Sequence, residues 1–418
     1  MGSGFKCISC VGHSYCCIGC RVVLYVDRFM SAFSESAQAC GSGVRLTSEC
    51  LRGGLELIDA LAPEWAALCR EGGRDVPFYR PEYFRAYVRA FETRSPIVLT
   101  VVRSGGQLVA VLPLVQATER WYGIPIHVLT SPRGDHYPVF DIICRNDIDK
   151  RELCISLLAA LSRMNWWNII RLHDVRKQGA TELLPDAAEE CGLTSHVVNC
   201  RLVPFVSLSG WHGDWDWYIT TRSSNFRHMI RKAKRRADSA GELVLLRYDT
   251  ADENALLTFY KLEASGWKKK AGTAIACEER LLAFYNEAAI AAANKGYFNL
   301  YILELDKRPI AGIYAFALDG VFCVPKIGYD EQYKDFAPGH LIVNGVLRDC
   351  AERDLHEFDF LGNWMPWKAS WTSEARPQST YYVFRPGVLS KSIEWLHFKL
   401  RPVVGRLYRR IRPIRTQV

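Results

Sequence analysis

Between Gly320 and Trp371 the chain changes its apolar pattern repeatedly within one short stretch. Val321 to Ile327 is an apolar run long enough for one strand and too short for a helix. A polar loop carrying Tyr329 and Tyr333 follows, and Pro338-Gly339 then opens an apolar-periodic helix that runs to about Arg353. Proline pre-sets φ for a first helical turn, and glycine permits close approach of backbone or ligand. Glu357 to Leu361 returns as a strand bearing Asp359. Strand, loop, helix and strand in this order predict a cleft at the carboxyl ends of parallel strands. The helix N-terminus would point unpaired N–H groups at an anion there.

The remaining pattern extends this unit in both directions. Leu57, Ile58, Leu61, Trp65 and Leu68 recur at helical spacing, and Pro81 starts a helix carrying Phe84, Tyr87, Val88 and Phe91. Ile97–Val102 and Leu108–Val115 read as a hairpin about Ser104-Gly105-Gly106. Helices are expected over 152–164 and 181–190, with a strand over 166–172 between them. In the second half, strands are expected over 242–248, 298–305 and 309–318, and helices over 223–240, 252–265 and 278–294. Gln107-Leu-Val-Ala-Val sits in the first hairpin as Arg308-Pro-Ile-Ala-Gly sits in the second. The helix-then-strand order after each hairpin also repeats, which predicts an internal duplication.

Several ordered motifs resemble a known family. Gly-Tyr-Asp-Glu-x-Tyr (328–333), Pro-Gly (338–339), Phe-Asp-Phe-x-Gly (358–362) and Trp-Lys-x-x-Trp (367–371) are similar to CelD-type acetyltransferases of the GNAT superfamily, named for cellulose biosynthesis. Leu262-Glu263-x-x-Gly266-Trp267-Lys268 extends the likeness, which covers about 220 to 385. The related FemAB transferases add amino acids to peptidoglycan precursors. The resemblance implies an α/β fold of tandem GNAT-like domains, each a mixed β-sheet flanked by helices, and acyl transfer to an amine. One departure concerns the usual pyrophosphate loop, Arg/Gln-x-x-Gly-x-Gly/Ala. Aligning Gly339 with its first glycine puts Phe336 at the Arg/Gln place and Leu341 at the second glycine.

Amine acylation needs a proton acceptor, a stabilised oxyanion, a neutralised leaving group and two aligned substrates. The catalytic candidates are Asp359, to take or hold the amine's proton, Tyr329 or Tyr333, to protonate a departing thiolate, and Lys368, to stabilise developing negative charge. The candidates for the donor are Ile327 and Gly328 at the strand end, with Pro338, Gly339 and His340 at the helix start. Those for the acceptor are Trp267, Lys268, Trp371 and the loop residues Asp135, His136 and Tyr137. Each has a plainer reading: Asp359 as a buried capping carboxylate, the 131–138 loop as ordinary surface, Lys368 laid along Trp371 by a cation–π contact. The stripe Arg227, Arg231, Arg235 with Lys232, Lys234 and Arg236 reads either as a site for the phosphates of CoA or tRNA or as a solvated helix face. Trp211, Trp215, Trp217 and Tyr218 read as inter-domain packing rather than a stacking platform.

Composition bounds the classes. With 418 residues, 49% of them hydrophobic, the chain has room for two or three globular domains. No apolar window is long enough to span a bilayer. The +8 net charge is concentrated beyond Val388, where eight basic residues face the single acid Glu394. Ile393, Leu396, Leu400, Val403, Leu407 and Ile411 there follow helical spacing, which fits either a basic amphipathic helix on an anionic membrane or packing on the body. Seven of the 15 cysteines lie in the first fifty residues, and Cys7-x-x-Cys10 with Cys17-x-x-Cys20 is spaced too tightly for a zinc ribbon. No metal is expected; residues 1–29 are expected to be dispensable, with Met30 a second candidate start. The expected organisation is a poorly ordered extension over 1–49, GNAT-like domains over 50–205 and 206–387, and a basic tail over 388–418. The first expectation for function is a cytoplasmic N-acyltransferase moving an acetyl or other acyl group from acyl-CoA to an amine on a small molecule, saccharide or peptide, in polysaccharide or envelope biosynthesis, with peripheral membrane contact through the tail. The alternatives are a FemAB-like transferase using aminoacyl-tRNA and a non-catalytic protein binding nucleic acid or a membrane surface.

Overall fold

The hairpins anticipated above are the scaffold of one large sheet. The computed structural model describes residues 46–402 apart from 74, 94, 210–214, 266–271 and 273. The cysteine-rich start, Trp211, Trp267, Lys268 and the chain beyond 402 lie outside the described residues. The first-half strands are β1 Leu46–Gly53, β2 Ile97–Ser104, β3 Gln107–Trp121, β4 Ile124–Thr130, β5 Ile143–Cys144, β6 Ile169–Arg176 and β7 Thr194–Ser207. Those of the second are β8 Leu243–Tyr248, β9 Phe298–Leu305, β10 Arg308–Leu318, β11 Val321–Tyr329, β12 Glu357–Asp359 and β13 Ala375–Phe384. The helices are α1 Leu55–Glu71, α2 Pro81–Phe91, α3 Lys150–Arg163, α4 Leu184–Glu190, α5 Trp215–Thr220, α6 Ser224–Ala240, α7 Glu253–Ala264, α8 Glu279–Asn294, α9 Pro338–Glu352, α10 Pro366–Ala369 and α11 Val388–Glu394.

From one edge the strands run β1-β2-β3-β4-β6-β13-β7-β12-β11-β10-β9-β8, with β5 beside β3. The order reads the same from either edge when β1 is matched with β8, β2 with β9, β3 with β10, β4 with β11, β6 with β12 and β7 with β13. Each half has one parallel pair, β4 with β6 and β11 with β12, joined through a helix. The last strands are exchanged: β13 pairs with β6 of the first half, and β7 with β12 of the second. They also pair with each other along β7's length. The expected tandem α/β fold is present, with its halves fused through this exchange.

The core is shared as well. Helix α2 packs against α8. Tyr83 of α2 meets Phe284 of α8 and Phe316 of β10 edge-on, at 5.5 and 5.7 Å between ring centres. Phe78 also reaches Phe316. Such edge contacts add about 0.5–1.5 kcal/mol each beyond area burial.

Two expectations are settled differently or more narrowly. Leu46–Gly53 belongs to the sheet as an edge strand along β2, so the extension expected over 1–49 is too long. The segment after Val388 folds onto the sheet as far as the described residues run. Ile393 is fully buried against Ile126, Val128, Ile169 and Phe384, worth about 1.5–3 kcal/mol. His196 also stacks on Phe398 at 4.0 Å and bonds Glu394 at 2.9 Å. Over 388–402 packing on the body therefore holds, not a helix lying free on a membrane. Among the described residues no helix is long and apolar enough to cross a membrane.

Candidate functional site

The parallel contact of β11 with β12 stops after three pairs, at Cys323 opposite Asp359. Beyond it β11 continues to Tyr329 along β10 alone. The register along β10 slips by one between Tyr314 and Phe316, so Val324 and Pro325 together face Ala315. This is a β-bulge; it bends the strand, and proline is tolerated where the ladder is already broken. A gap thus opens between β11 and β12.

Helix α9 starts beside that gap. Its N-cap residue, Ala337, has φ 50° and ψ 51°, Pro338 is the first helical residue, no side chain caps the end and the first turn has no acid. The helix therefore presents its positive end with no acid to compensate it. A Cβ added to Gly339 would stand 3.4 Å from the ring of Tyr329, so the glycine leaves that ring and the helix end in contact. Tyr329 is largely exposed and Tyr333 is half-buried beside Phe336. Gly328 serves another purpose. A Cβ there would lie 2.5 Å from the Cα of Glu263, so its bare backbone lets α7 lie on β11 rather than facing a donor.

Asp359 is fully buried, and both of its carboxylate oxygens are engaged. One is paired with Arg176 of β6. The other accepts from the Leu361 N–H at 2.8 Å. This corrects the reading of Asp359 as the group that takes the amine's proton: neither oxygen is turned to a substrate. Lys368, on α10, is buried and donates to the carbonyl of Leu361 at 2.6 Å and that of Phe360 at 3.4 Å. Burial pulls its ammonium down to about 8, and Asp359 and Asp135 oppose that pull while Arg201 adds to it. Its cation–π partner is Trp367, at 5.7 Å, rather than Trp371.

Two further candidates prove to be core. Trp371 is fully buried, edge-on to Phe226 at 4.8 Å, with its carbonyl taken by Tyr218 and Arg222. Tyr137 is 1% exposed and donates to the Phe78 carbonyl. Both aromatic rings are shut away from any acceptor. The His340 ring packs among Phe226, Trp367 and Trp371 with Nδ1 buried and unpartnered, and burial lowers its pKa. Its N–H bonds the Ala337 carbonyl at 2.9 Å, so neither group faces a donor.

The 131–138 loop leaves the end of β4 and reaches the second half. His136 bonds the Tyr285 hydroxyl of α8 through Nδ1 at 2.9 Å and stacks on Phe91. Burial, with the nearby Lys326 ammonium, lowers its pKa to about 4, so the imidazole is neutral near pH 7. Asp135 is exposed beside it, close enough to influence Lys368 and Asp174. Asp174, at φ 55°, pairs with Arg201 at 2.9 Å, and burial raises its carboxyl to about 6. Arg201 also bonds Gln378, which holds the Pro138 carbonyl.

The sequence reading missed Arg176, Asp174, Arg201, Lys326 and Tyr285. Arg176 and Asp174 lie past Leu172, where the strand was expected to end; the alternation Arg171, His173 was the available signal that β6 continues.

Helix α6 packs against α9 and displays Arg231, Lys232, Lys234, Arg235 and Arg236 outward, while Arg227 is half-buried. Lys232, Arg235, Arg236 and Ser239 line a groove of about 510 Å3 together with Phe336, just before the α9 N-terminus. Arg236 donates to the Asp335 carbonyl at 2.9 Å. Among the described residues no cluster of three or more His, Cys, Asp or Glu is arranged to hold a metal.

A strand parting from its parallel neighbour beside a helix start has the form of the cleft expected above. Residues 224–369 match the model of an acetyltransferase (GNAT) domain. That match spans the basic helix, the gap and Lys368. The crystal structure of FemX superposes with a TM-score of 0.55 at 12% identity, covering 80% of this chain and 96% of FemX. L-PGS from Bacillus licheniformis aligns with a TM-score of 0.43 at 12% identity over 78% of this chain and 97% of its own. A tandem GNAT protein from the clavulanic acid biosynthesis pathway gives 0.44 at 12% identity over 82% and 100%. At these identities the FemX likeness speaks for the fold. No curated protein matches the chain.

Proposed function

We propose that the protein is an N-acyltransferase that moves an acetyl or longer acyl group from acyl-CoA to an amine, in the synthesis of a polysaccharide or envelope component. The observation that carries this reading is the gap between β11 and β12, opened by the Val324–Pro325 bulge and closed at one end by the uncapped start of α9. A donor's pyrophosphate fits a helix N-terminus of this kind. The groove lined by Lys232, Arg235 and Arg236 is suited to the donor's remaining phosphate.

The thioester carbonyl then lies toward Lys368, whose ammonium stabilises the oxygen as negative charge develops. The acceptor enters against the 131–138 loop. The Asp135 carboxylate attracts its ammonium, and His136, neutral near pH 7, stands beside it as a hydrogen-bonding group. Tyr329, exposed beside α9, is the candidate to protonate the departing thiolate. The tail beyond 402, with its arginines, is proposed as a peripheral contact with anionic lipid.

A second reading, transfer of an aminoacyl group from charged tRNA, is favoured by the length of the α6 stripe. Arg227 to Arg235 spans about 12 Å, more than one pyrophosphate needs. Thermal shift separates the two. A ligand that binds only the folded state raises the melting temperature by mass action. Acyl-CoA at saturating concentration is expected to raise it by several degrees. A rise with aminoacyl-tRNA and none with any acyl-CoA would replace the first reading by the second, and no rise with either would contradict both.

A further inference from the structure

We propose that the Arg176–Asp359 pair, whose arginine comes from the first half, positions Lys368 of the second half through the backbone of Leu361. The inference rests on the reading that acyl transfer occurs at Lys368. Its starting point is the depth of the pair. Arg176 is 6% exposed and Asp359 is fully buried. Burying two charges costs more than an apolar pair of similar volume, so such a pair is weak support for stability alone.

Its hydrogen bonds run toward Lys368. Arg176 holds one oxygen of Asp359 and so fixes the rotation of the carboxylate. The other oxygen then meets the Leu361 N–H at 2.8 Å. Leu361 stands at φ 52°, a left-handed conformation that costs a non-glycine residue about 1–2 kcal/mol. The bond from Asp359 stabilises that conformation. It turns the Leu361 carbonyl onto Lys368 Nζ, at 2.6 Å. Gly362 follows at φ 58°, and a Cβ there would stand 3.6 Å from the same nitrogen.

The pair also sets the charge on Lys368. The charged groups that face it are Asp359 from β12, Arg201 from β7 and Asp135 from the 131–138 loop. Arg201 is itself tied to Asp174 and Gln378. Asp359 favours the ammonium, Arg201 disfavours it, and the exposed Asp135 is screened by water. Without Asp359, burial and Arg201 drive the lysine toward its neutral form.

The test uses the whole chain and three variants: Asp359→Asn, the double variant Arg176→Gln/Asp359→Asn, and Arg176→Lys. The double variant keeps the shapes and removes both charges, which guards against the unpaired buried charge that a single change leaves. Lys368 is titrated by NMR in protein labelled with 13C-lysine, its signal assigned by its loss in Lys368→Arg. The wild-type midpoint is expected near 8. Asp359→Asn and the double variant are each expected to lower it by roughly one pH unit or more, the effect of removing a close opposite charge. Both should lower kcat more than they change KM, and Arg176→Lys should restore the midpoint and most of kcat. A lower melting temperature with the Lys368 midpoint unmoved would overturn the proposal, because the pair would then be structural only. A moved midpoint in a protein with no transferase activity, wild type included, would support the positioning device and remove the proposed acyl transfer.

Discussion

The two halves share a strand order and differ around the end of the parallel pair. In the second half β11 is bulged, and it leaves β12 after Asp359. In the first half β4 pairs with β3 in unbroken register from Val115–Thr130 to Trp121–Ile124. The crossover helices differ in the same sense. Helix α3 is capped by the Asp149 carboxylate, which accepts from the Glu152 N–H at 2.8 Å, and Glu152 adds a second acid in its first turn. Helix α9 has no side-chain cap and no acid in that turn. An incoming phosphate would meet repulsion at α3 and an uncapped positive helix end at α9. The connection from β4 to α3 is also the longer one, and its 131–138 portion bonds Tyr285 in the other half. Among the described residues the scaffold thus occurs twice and the gap beside an uncapped helix once. The first half now supplies a loop and Arg176 to its partner's site.

The strongest way to break this asymmetry is at Lys368. Lys368→Met keeps the apolar stem, and transfer is expected to fall by roughly 100-fold or more with little change in melting temperature. Activity within a few-fold of wild type would remove Lys368 from the mechanism. The same residue sets a pH limb. Since the ammonium is the working form, transfer should decline as pH rises through about 8, and the limb should vanish in Lys368→Arg.

Making α9 resemble α3 is the next test. Ala337→Asp puts a carboxylate at the helix start, in a left-handed conformation that aspartate tolerates. Donor affinity is expected to drop about tenfold or more, with melting temperature unchanged or raised, as read by titration calorimetry and thermal scan. Gly328→Ala should do the reverse. Its Cβ would overlap the Glu263 backbone, an overpacking expected to cost about 1–3 kcal/mol, so denaturant unfolding should shift before any donor effect is seen.

Smaller effects belong to the first half. His136 and His173 are both held neutral by burial, at about 4 and about 3. A group whose folded pKa is depressed contributes stability that is present above its unfolded value, near 6.5, and lost as pH falls toward the folded one. Stability should therefore decline between about pH 6.5 and 4, and His173→Gln, at a ring whose Nε2 has no partner, should flatten that decline in urea titrations. Asp149→Ala is expected to cost about 1 kcal/mol as a lost cap and to leave donor binding unchanged.

Much of this asymmetry can be read from the sequence, and the limits are physical. The hairpins and the helices with an apolar stripe stand near their expected bounds, because burial on one face imposes a period. Pro338-Gly339 also marks the true start of α9. The central strand β13 escaped, because Gln378, Ser379 and Thr380 are buried polar residues and read like a loop. β7 escaped because Val197, Val198 and Leu202 are exposed and its alternation is weak. Arg176 was illegible for another reason: an arginine at a strand end normally faces solvent, and its acid lies 183 residues away. Trp371, Tyr137 and His340 show the opposite failure. Their motifs were visible, but nothing in a motif tells whether an aromatic ring faces the cleft or the core.

The central claim, that one half alone holds a donor, is most directly tested by calorimetric titration of acyl-CoA into the wild-type protein and Ala337→Asp. One donor per chain is expected, weakened about tenfold or more by that single change at α9. Two donors per chain, or one whose affinity ignores Ala337→Asp, would contradict it.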